Sequence, residues 1–297
     1  RWIEMQRLSA NGQPAGVPVV LSSGPWNGPP DADGGRVVWT TFATPGATEG
    51  SVVLHDLATG EQTFFDAGFP VGNVRVHGDR VAWTHQGEQP AVRYYDMAWG
   101  PLAPSTLCDQ KACVHPFSSL DLGSRYLVWE QTHVLAAGAK VVVGYDMLMG
   151  RQVAFLDGAG NHTAREPSSF GDHTAYTYRD LMTPDVVRVE VAFGTRSDNL
   201  FDKVFIGPAN SIMPSLGGEL LAYGRYDQSY FNVEIVELGV GPLGPLGPLA
   251  TGNTVVVGDP QTHEITPDVL GRDVVYLSNR MSNSAKYDVF LARVSPP

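Results

Sequence analysis

Short apolar runs separated by turn residues follow one another along the whole chain. The runs RVVWTTF at 36–42 and SVVLHDL at 51–57 mix alternating and clustered apolar positions, and Gly and Pro are frequent between such runs. Period-two alternation and short apolar runs bounded by turn residues are typical of β-strands, including strands that are buried on both faces. The pattern therefore predicts an all-β protein.

One of these runs recurs at nearly regular intervals. It reads GGRVVWT at 34–40, GDRVAWT at 78–84, GSRYLVWE at 123–130, GDHTAYT at 171–177, GGELLAYG at 217–224 and GRDVVYL at 271–277. Its aromatic residues are Trp39, Trp83, Trp129, Tyr176, Tyr223 and Tyr276, which lie 44, 46, 47, 47 and 53 positions apart. A repeat of this period without a helical pattern predicts a β-propeller of four-stranded antiparallel blades. We expect the large ring to pack between neighbouring blades.

Six copies predict six blades in a single domain that covers residues 1–297. The expected blades span approximately 25–66, 71–107, 118–157, 167–207, 214–258 and 267–294. The last of these lacks a fourth strand, and we expect residues 17–24 to complete it, because ring closure removes an exposed strand edge. Residues 2–8 also resemble a strand, so the alternative is a seventh blade that is assembled from both termini.

The acidic composition limits the partners that the chain can bind. A formal net charge of -11 disfavours nucleic acid, because a binding protein must neutralise phosphates with clustered Lys and Arg. We also expect no transmembrane segment, since no apolar stretch approaches the roughly 20 residues that a spanning helix needs.

Two features of the sequence predict an exported protein. Cys108 and Cys113 are the two cysteines of the chain, and their closeness predicts a small disulfide-closed loop in an oxidising compartment. A pair of free thiols is the alternative. A chain that begins with Arg1 rather than Met fits a protein whose signal peptide has been removed.

The repeated unit also carries a family resemblance. The motif G-D-R-V-x-W at 78–83 is followed by Y-D-M-x-x-G at 95–100, and related pieces recur along the chain. This unit resembles the TolB-type propeller repeat of bacterial cell-envelope and secreted proteins. The resemblance implies a periplasmic or secreted bacterial protein, with a protein or glycan of the envelope or extracellular matrix as its partner. Members of the family also include propeller domains attached to peptidases and lyases.

Polar residues recur eight positions before each aromatic residue. They are Asp31, Arg75, Asp121, Ser168, Ser215 and Asp268. This phase predicts a ring of polar side chains on the innermost strands, around a central channel. The ring is either the polar wall of a water-filled channel or a site for a ligand or a cation such as calcium near Asp31, Asp121 and Asp268, with Arg75 as counter-charge. No cofactor is required by either hypothesis.

The loops that follow the aromatic residues form the second candidate site. The predicted ligand-binding residues are Arg179, Asp180, Arg225, Tyr226, Asp227, Tyr230 and Arg280. Aromatic rings beside forked donors suit sugars or peptides, because the ring packs on apolar faces while the donors bind hydroxyl or carboxylate groups. The alternative for these residues is ordinary hydrogen bonding between blades.

Nucleophilic and metal-dependent catalysis find little support in the motifs. The sequence contains neither G-x-S-x-G nor H-E-x-x-H, and we assign no catalytic residue. The main hypothesis is therefore a non-enzymatic, exported propeller that binds a protein or glycan at the loop-rich face of its channel. One alternative is a propeller lyase or hydrolase that acts on an extracellular polysaccharide. Another is a structural protein of the envelope or matrix.

Overall fold

The described chain consists of β-strands, turns and one short 3₁₀ helix. In the computed structural model, the described residues are 2–9, 11, 13–22, 24, 26–87, 90–100, 104–108, 119–132, 140–155, 162–183, 186–194, 202–218, 220–227, 229–238, 254–257, 264–278 and 288–294. These ranges contain no α-helix, and the strands pair antiparallel, which confirms the predicted all-β class. The chain forms two compact units, Arg1–Leu122 (unit 1) and Gly123–Pro297 (unit 2).

Unit 1 contains two N-terminal strands, the strands of the first two sequence repeats and the first strand of the third repeat. They are β1 (Ile3–Met5), β2 (Val19–Ser22), β3 (Trp26–Asn27), β4 (Asp31–Asp33), β5 (Arg36–Phe42), β6 (Glu49–Asp56), β7 (Gln62–His77), β8 (Arg80–His85), β9 (Ala91–Asp96), β10 (Ser105–Cys108) and β11 (Leu120–Leu122). One sheet has the order β10-β9-β8-β7-β6-β5-β3, with β4 also paired to β5. The long strand β7 links its two halves, because residues up to Pro70 pair with β6 and residues from Val71 pair with β8.

The N-terminal strand takes a different partner from the predicted one. The sequence predicts that residues 17–24 complete the last blade, but β2 pairs with β1 in a separate two-stranded sheet. Ile3 of β1 is buried against Trp39 and Val53, which anchors this pair of strands to the first repeat. In the described part of the chain, the last sheet has three strands, so the closure by residues 17–24 is corrected and the number of blades stays a prediction.

Unit 2 contains the remaining repeats. Its strands are β12 (Tyr126–Thr132), β13 (Lys140–Asp146), β14 (Arg151–Ala154), β15 (His162–Phe170), β16 (His173–Asp180), β17 (Val187–Phe193), β18 (Asp202–Ile206), β19 (Ser211–Gly217), β20 (Leu220–Tyr226), β21 (Phe231–Glu237), β22 (Val255–Val257), β23 (Glu264–Leu270), β24 (Asp273–Ser278) and β25 (Asp288–Arg293). The strands β15–β18 and β19–β22 form two four-stranded sheets in sequence order, and β23–β25 form a three-stranded sheet. Each is an antiparallel meander, as the repeat predicts.

The repeated aromatic residues fill the space between neighbouring sheets. All six are buried, with at most 4% of their surface exposed. Tyr223 of β20 packs against Ala175 and Val189 of the preceding sheet, and Trp83 of β8 packs against Val38 and Val52 in the same manner. The predicted packing role is confirmed, and a large ring at this position contributes several kcal/mol of apolar burial, about 3–5 by comparison with aromatic-to-alanine changes.

The G-D-R and Y-D-M segments of the repeat meet at one end of the sheets. Arg80 Nε lies 3.2 Å from Asp96 Oδ2, and Arg125 Nη2 lies 2.8 Å from Asp146 Oδ2. Asp146 Oδ1 also accepts hydrogen bonds from Leu148 N and Met149 N at 3.0 Å, which closes the turn before β14. The motif that carries the family resemblance is therefore structural: its arginine and aspartate form an ion pair that joins a turn to a strand, which we name the Arg–Asp staple.

On β15, β19 and β23, which are the first strands of their repeats, a β-bulge precedes the polar residue of the predicted channel ring. Glu166, Met213 and Thr266 each have a φ of 53°, and the strand register shifts there. A proline follows each of them, namely Pro167, Pro214 and Pro267. A bulge leaves one residue outside the hydrogen-bond ladder, so the missing N–H of proline costs nothing at this position. The bulge sets the direction of the next side chain.

Candidate functional site

In each unit, the loop-rich end is the end of the sheets at which the first strand of each repeat begins and the second strand ends. In unit 1, Gly28 N donates a hydrogen bond to Thr40 O at 2.8 Å, just before β4 begins and near the end of β5. In unit 2, Tyr226 N donates to Asn210 O at 2.9 Å, at the corresponding ends of β20 and β19. Both sets of loops therefore lie at the same end of a sheet, opposite the end that carries the Arg–Asp staples.

A cavity of about 340 Å³ lies at the loop-rich end of unit 1. Its lining residues are Gly28, Pro29, Thr40, Phe42, Gly72, Asn73, Val74, Arg75 and Gln86. They come from the segment before β4, the end of β5, the second half of β7 and the residue after β8. One aromatic ring thus lies beside hydroxyl, amide and guanidinium groups. This combination is typical of ligand pockets, in which a few polar groups stand against an apolar surface.

Two glycines shape the wall of this cavity. A Cβ atom on Gly28 would overlap the Thr40 hydroxyl, and a Cβ atom on Gly72 would overlap Thr84 Oγ1 and Gln86 Nε2. Glycine at both positions allows the Thr40 and Gln86 side chains to lie against the backbone and reach the cavity. Sequence reasoning missed Asn73 of β7 and Gln86 after β8, since a single amide side chain carries no recognisable signal.

The predicted channel residues lie on the first strands and form bonds between neighbouring sheets. Asp31, Arg75, Asp121, Ser168, Ser215 and Asp268 lie on β4, β7, β11, β15, β19 and β23. In each of three cases, a polar side chain on the first strand of one repeat accepts a hydrogen bond from a backbone amide on the first strand of a following repeat. We name these the seam hydrogen bonds. The pairs are Val76 N to Asp31 Oδ2 (2.8 Å), Leu216 N to Ser168 Oγ (3.0 Å) and Val269 N to Ser215 Oγ (3.1 Å). Each donor is one position after the equivalent polar residue.

Two further contacts join members of the predicted ring within a unit. Arg75 Nε lies 3.6 Å from Asp121 Oδ1 in unit 1, and Ser215 Oγ donates to Asp268 Oδ1 at 3.2 Å in unit 2. These contacts give the polar residues a structural task. A cation near Asp31, Asp121 and Asp268 stays a prediction; within the described ranges, no group of three or more His, Cys, Asp or Glu side chains is arranged to hold a metal ion.

The two predicted acidic residues in the loops of unit 2 close tight turns. Asp180 Oδ1 accepts a hydrogen bond from Met182 N at 2.8 Å, and Asp227 Oδ1 accepts from Tyr230 N at 3.1 Å. These backbone donors lower the pKa of both carboxyl groups, chiefly through Met182 N for Asp180 and Tyr230 N for Asp227. Both residues therefore hold the hairpins that follow β16 and β20.

Arg225 forms an ion pair with a carboxylate in its own sheet. Its Nη1 atom lies 2.8 Å from Glu234 Oε1, and the Tyr223 hydroxyl donates to Glu234 Oε2 at 2.9 Å. The hydrogen bond to Glu234 raises the pKa of Arg225, while burial and then the Glu234 charge raise the pKa of Tyr223. One buried glutamate thus orients both the repeated aromatic residue and the predicted ligand-binding arginine.

The preceding sheet contains the same arrangement. The Tyr176 hydroxyl donates to Glu190 Oε2 at 3.2 Å, and Arg188 Nη2 lies 2.8 Å from Glu190 Oε1. Burial, followed by the Glu190 charge, raises the pKa of Tyr176. The sequence contains a usable signal, because a Glu stands in the middle of the third strand in both VRVEVAF and FNVEIVE, directly opposite the tyrosine.

The other predicted loop residues are less enclosed. Arg179 is exposed at the end of β16, and the Tyr226 ring packs against Phe231 with 5.0 Å between centroids. Tyr230 is half-buried in the turn that Asp227 closes. Arg280 lies outside the described residues, as does Cys113, so its disulfide with Cys108 at the end of β10 stays a prediction.

Solved structures with the same chain fold are numerous. The propeller domain of the Trilobed protease from Pyrococcus furiosus matches with a TM-score of 0.63 and 11% identity, over 95% of this chain and 81% of that one. Putative TolB from Agrobacterium tumefaciens matches with a TM-score of 0.50 and 12% identity, over 81% and 83% of the two chains. The chain has a TolB-like β-propeller fold. The predicted propeller is thereby confirmed, while identities this low say nothing of its ligand.

The propeller is shorter than several proteins that contain the same fold. A puromycin-hydrolysing peptidase of Mycobacterium tuberculosis matches with a TM-score of 0.63 and 15% identity, over 98% of this chain but 49% of that one. The chain also spans 57% of the length of TolB from Acinetobacter baumannii. No protein-family model matches the propeller, and no curated protein sequence does so either. No helix in the described ranges is long and apolar enough to cross a membrane.

Proposed function

We propose that this propeller is an exported, non-enzymatic module that binds a protein or glycan partner at its loop-rich end. The observation that supports this proposal is the cavity of unit 1, which opens at the end where loops are concentrated and combines Phe42 with the polar side chains of Asn73, Arg75 and Gln86. Propellers bind ligands at one end of their sheets because connecting loops can vary there without disturbing the blades.

The predicted binding residues of unit 2 have structural tasks. Asp180 and Asp227 close turns, and Arg225 forms an ion pair with Glu234. We assign the principal binding site to unit 1 because the cavity lies there, and the loops of unit 2 become its comparison in the experiment.

The proposal is tested by blocking the cavity. The purified chain is screened against a glycan array and a peptide array, and affinities of the hits are measured by isothermal titration calorimetry. Asn73 is exposed at the cavity wall, so Asn73→Trp should fill the opening without burying a polar group, and we expect at least a tenfold loss of affinity. The matched control is Thr63→Trp, an exposed position on the same strand but away from the cavity, which should bind normally.

Two outcomes would contradict this assignment. Normal binding by Asn73→Trp, together with loss of binding in the Arg225→Ala/Tyr226→Ala double variant, would place the site in unit 2. Release of unsaturated sugars from a polysaccharide panel would favour the lyase alternative instead of a binding module.

Export and the disulfide belong to the same proposal. They are supported by the closeness of Cys108 and Cys113 in the sequence and by the TolB-type repeat. Alkylation of the unreduced protein from its native compartment, followed by mass spectrometry, should leave both cysteines unmodified; alkylation of both would show free thiols.

A further inference from the structure

Aromatic residues stand in a row across the first sheet of unit 1, beside the cavity. Trp26 of β3 lies directly opposite Phe42 of β5, Phe42 lies opposite Gly50 of β6, and Gly50 lies opposite Phe69 of β7. Directly opposed residues of antiparallel strands project from the same face of the sheet. The three rings therefore share one face, and we name this set the aromatic row.

The row is accessible at both ends and joined to the cavity in the middle. Trp26 is 40% exposed and Phe69 is 53% exposed, whereas Phe42 is half-buried and lines the cavity. A Cβ atom on Gly50 would meet Phe42 Cδ1 at 2.8 Å, so the Phe42 ring lies over the glycine. At a strand spacing of about 4.8 Å, three steps across the sheet span roughly 14 Å.

The groups beside the row indicate the chemistry of the occupant. The amides of Asn73 and Gln86 and the Thr40 hydroxyl can each donate and accept hydrogen bonds, as sugar hydroxyls do. Arg75, the charged residue of the lining, has its charge balanced by Asp121 at 3.6 Å. A row of rings beside amides and a balanced charge matches a neutral molecule with apolar faces and a rim of hydroxyl groups.

We propose that the aromatic row and the adjoining cavity bind a neutral oligosaccharide, with sugar rings stacked on Trp26 and Phe69. This inference rests on the proposed binding function and names the ligand class of that same site. The exposed rings give the platform, and the cavity beside Phe42 takes the hydroxyl groups of a sugar that lies between them.

The experiment uses the full chain and four neutral probes: cellohexaose, xylohexaose, maltohexaose and N-acetyl-chitohexaose. Affinities are measured by calorimetry for the parent protein, Trp26→Ala and Phe69→Ala. We expect at least one probe to bind, and each substitution to weaken it at least tenfold. Trp26→Tyr keeps a ring at the end of the row and should restore most of the affinity.

The matched control is Phe64→Ala. Phe64 is on the same strand as Phe69 and is 57% exposed, but it lies opposite Val53 and therefore projects from the other face of the sheet. Its removal should leave the affinity within twofold of the parent. Melting curves of all variants should coincide within about 2 °C, since each removes an exposed side chain.

The outcomes separate this inference from the proposed function. Unchanged sugar affinity in Trp26→Ala and Phe69→Ala, with loss in Asn73→Trp, would overturn the aromatic row and leave the cavity as the site. Binding of peptides but of no neutral sugar, again lost in Asn73→Trp, would overturn the sugar assignment alone. Normal binding of every ligand by Asn73→Trp would overturn both.

Discussion

The loop-rich ends of unit 1 and unit 2 use similar residue types in different ways. In unit 2, Arg225 pairs with a buried glutamate and Asp227 closes a turn, so the conspicuous polar residues stabilise the fold. In unit 1, Gly28 and Gly72 keep backbone close to the side chains of Thr40 and Gln86, and a cavity remains between the first two repeats. The comparison teaches that the position of a polar residue in the fold, rather than its identity, decides whether it closes a turn or lines a cavity.

The largest effect should come from removing the carboxylate that holds the end of unit 2. Glu234→Ala leaves the Tyr223 hydroxyl buried without this acceptor and takes the counter-charge from Arg225. We expect a loss of about 3 kcal/mol in the free energy of unfolding, measured by urea denaturation. Tyr223→Phe is the control and should cost less, because it removes one hydrogen bond and leaves Glu234 paired with Arg225. Equal losses in the two variants would contradict the central role of Glu234.

An intermediate effect should appear at alkaline pH, where buried tyrosines of unit 2 would have to ionise. Burial raises the pKa of Tyr126 to about 12 from an ordinary value of 10.0, and its hydroxyl donates to Gly194 O at 2.7 Å. Because the pKa is higher in the folded state, this stabilisation is complete below about pH 10 and is lost as the pH rises to about 12.

The measurement is the free energy of urea unfolding at several pH values between 8 and 12, expected to fall by about 2 kcal/mol over the upper part of that range through Tyr126. Tyr126→Phe should show a shallower decline. A decline of the same steepness in Tyr126→Phe would show that other groups govern the alkaline limit.

The smallest effect should come from the glycines of unit 1. Gly72→Ala places a methyl group against Thr84 Oγ1 and the end of the Gln86 side chain. We expect about 1 kcal/mol of destabilisation by chemical denaturation, because the Gln86 side chain can move but the buried threonine cannot. Gly24→Ala is the control, since its Cβ would approach neighbours no closer than 3.4 Å. If Gly72→Ala were as stable as Gly24→Ala, the close fit of the cavity wall would be refuted.

The fold was accessible from the sequence because its signal is repeated and apolar. A ring at Trp39, Trp83 and their equivalents marks the same buried position in each sheet, and packing between sheets leaves few alternatives for a large side chain. The pairing of residues 17–24 was mispredicted because the strand pattern of this segment fits several edges. Its actual partner β1 is chosen by the burial of Ile3 against Trp39, which is a tertiary contact that the local pattern does not encode.

The candidate site was less accessible, for a related reason. The phase of Asp31, Ser168 and Ser215 correctly placed them on first strands, but their seam hydrogen bonds depend on the offset between neighbouring sheets. The cavity depends on glycines and on single amides such as Asn73 of β7, and these residue types carry no recognisable signal in a sequence. The aromatic row depends on the register of four strands, because Trp26 and Phe69 are far apart in the sequence and share one face of the sheet only through strand pairing.

The seam hydrogen bonds have a consequence for how such a protein can change in length. Each of these three junctions uses a short acceptor on one module and a main-chain donor on the following one, so the donor is present whatever side chain occupies that position. Duplication or loss of a whole module would bring together two surfaces that already fit each other. A chain with one module more or fewer would keep the same junction chemistry wherever a short polar acceptor occupies this position.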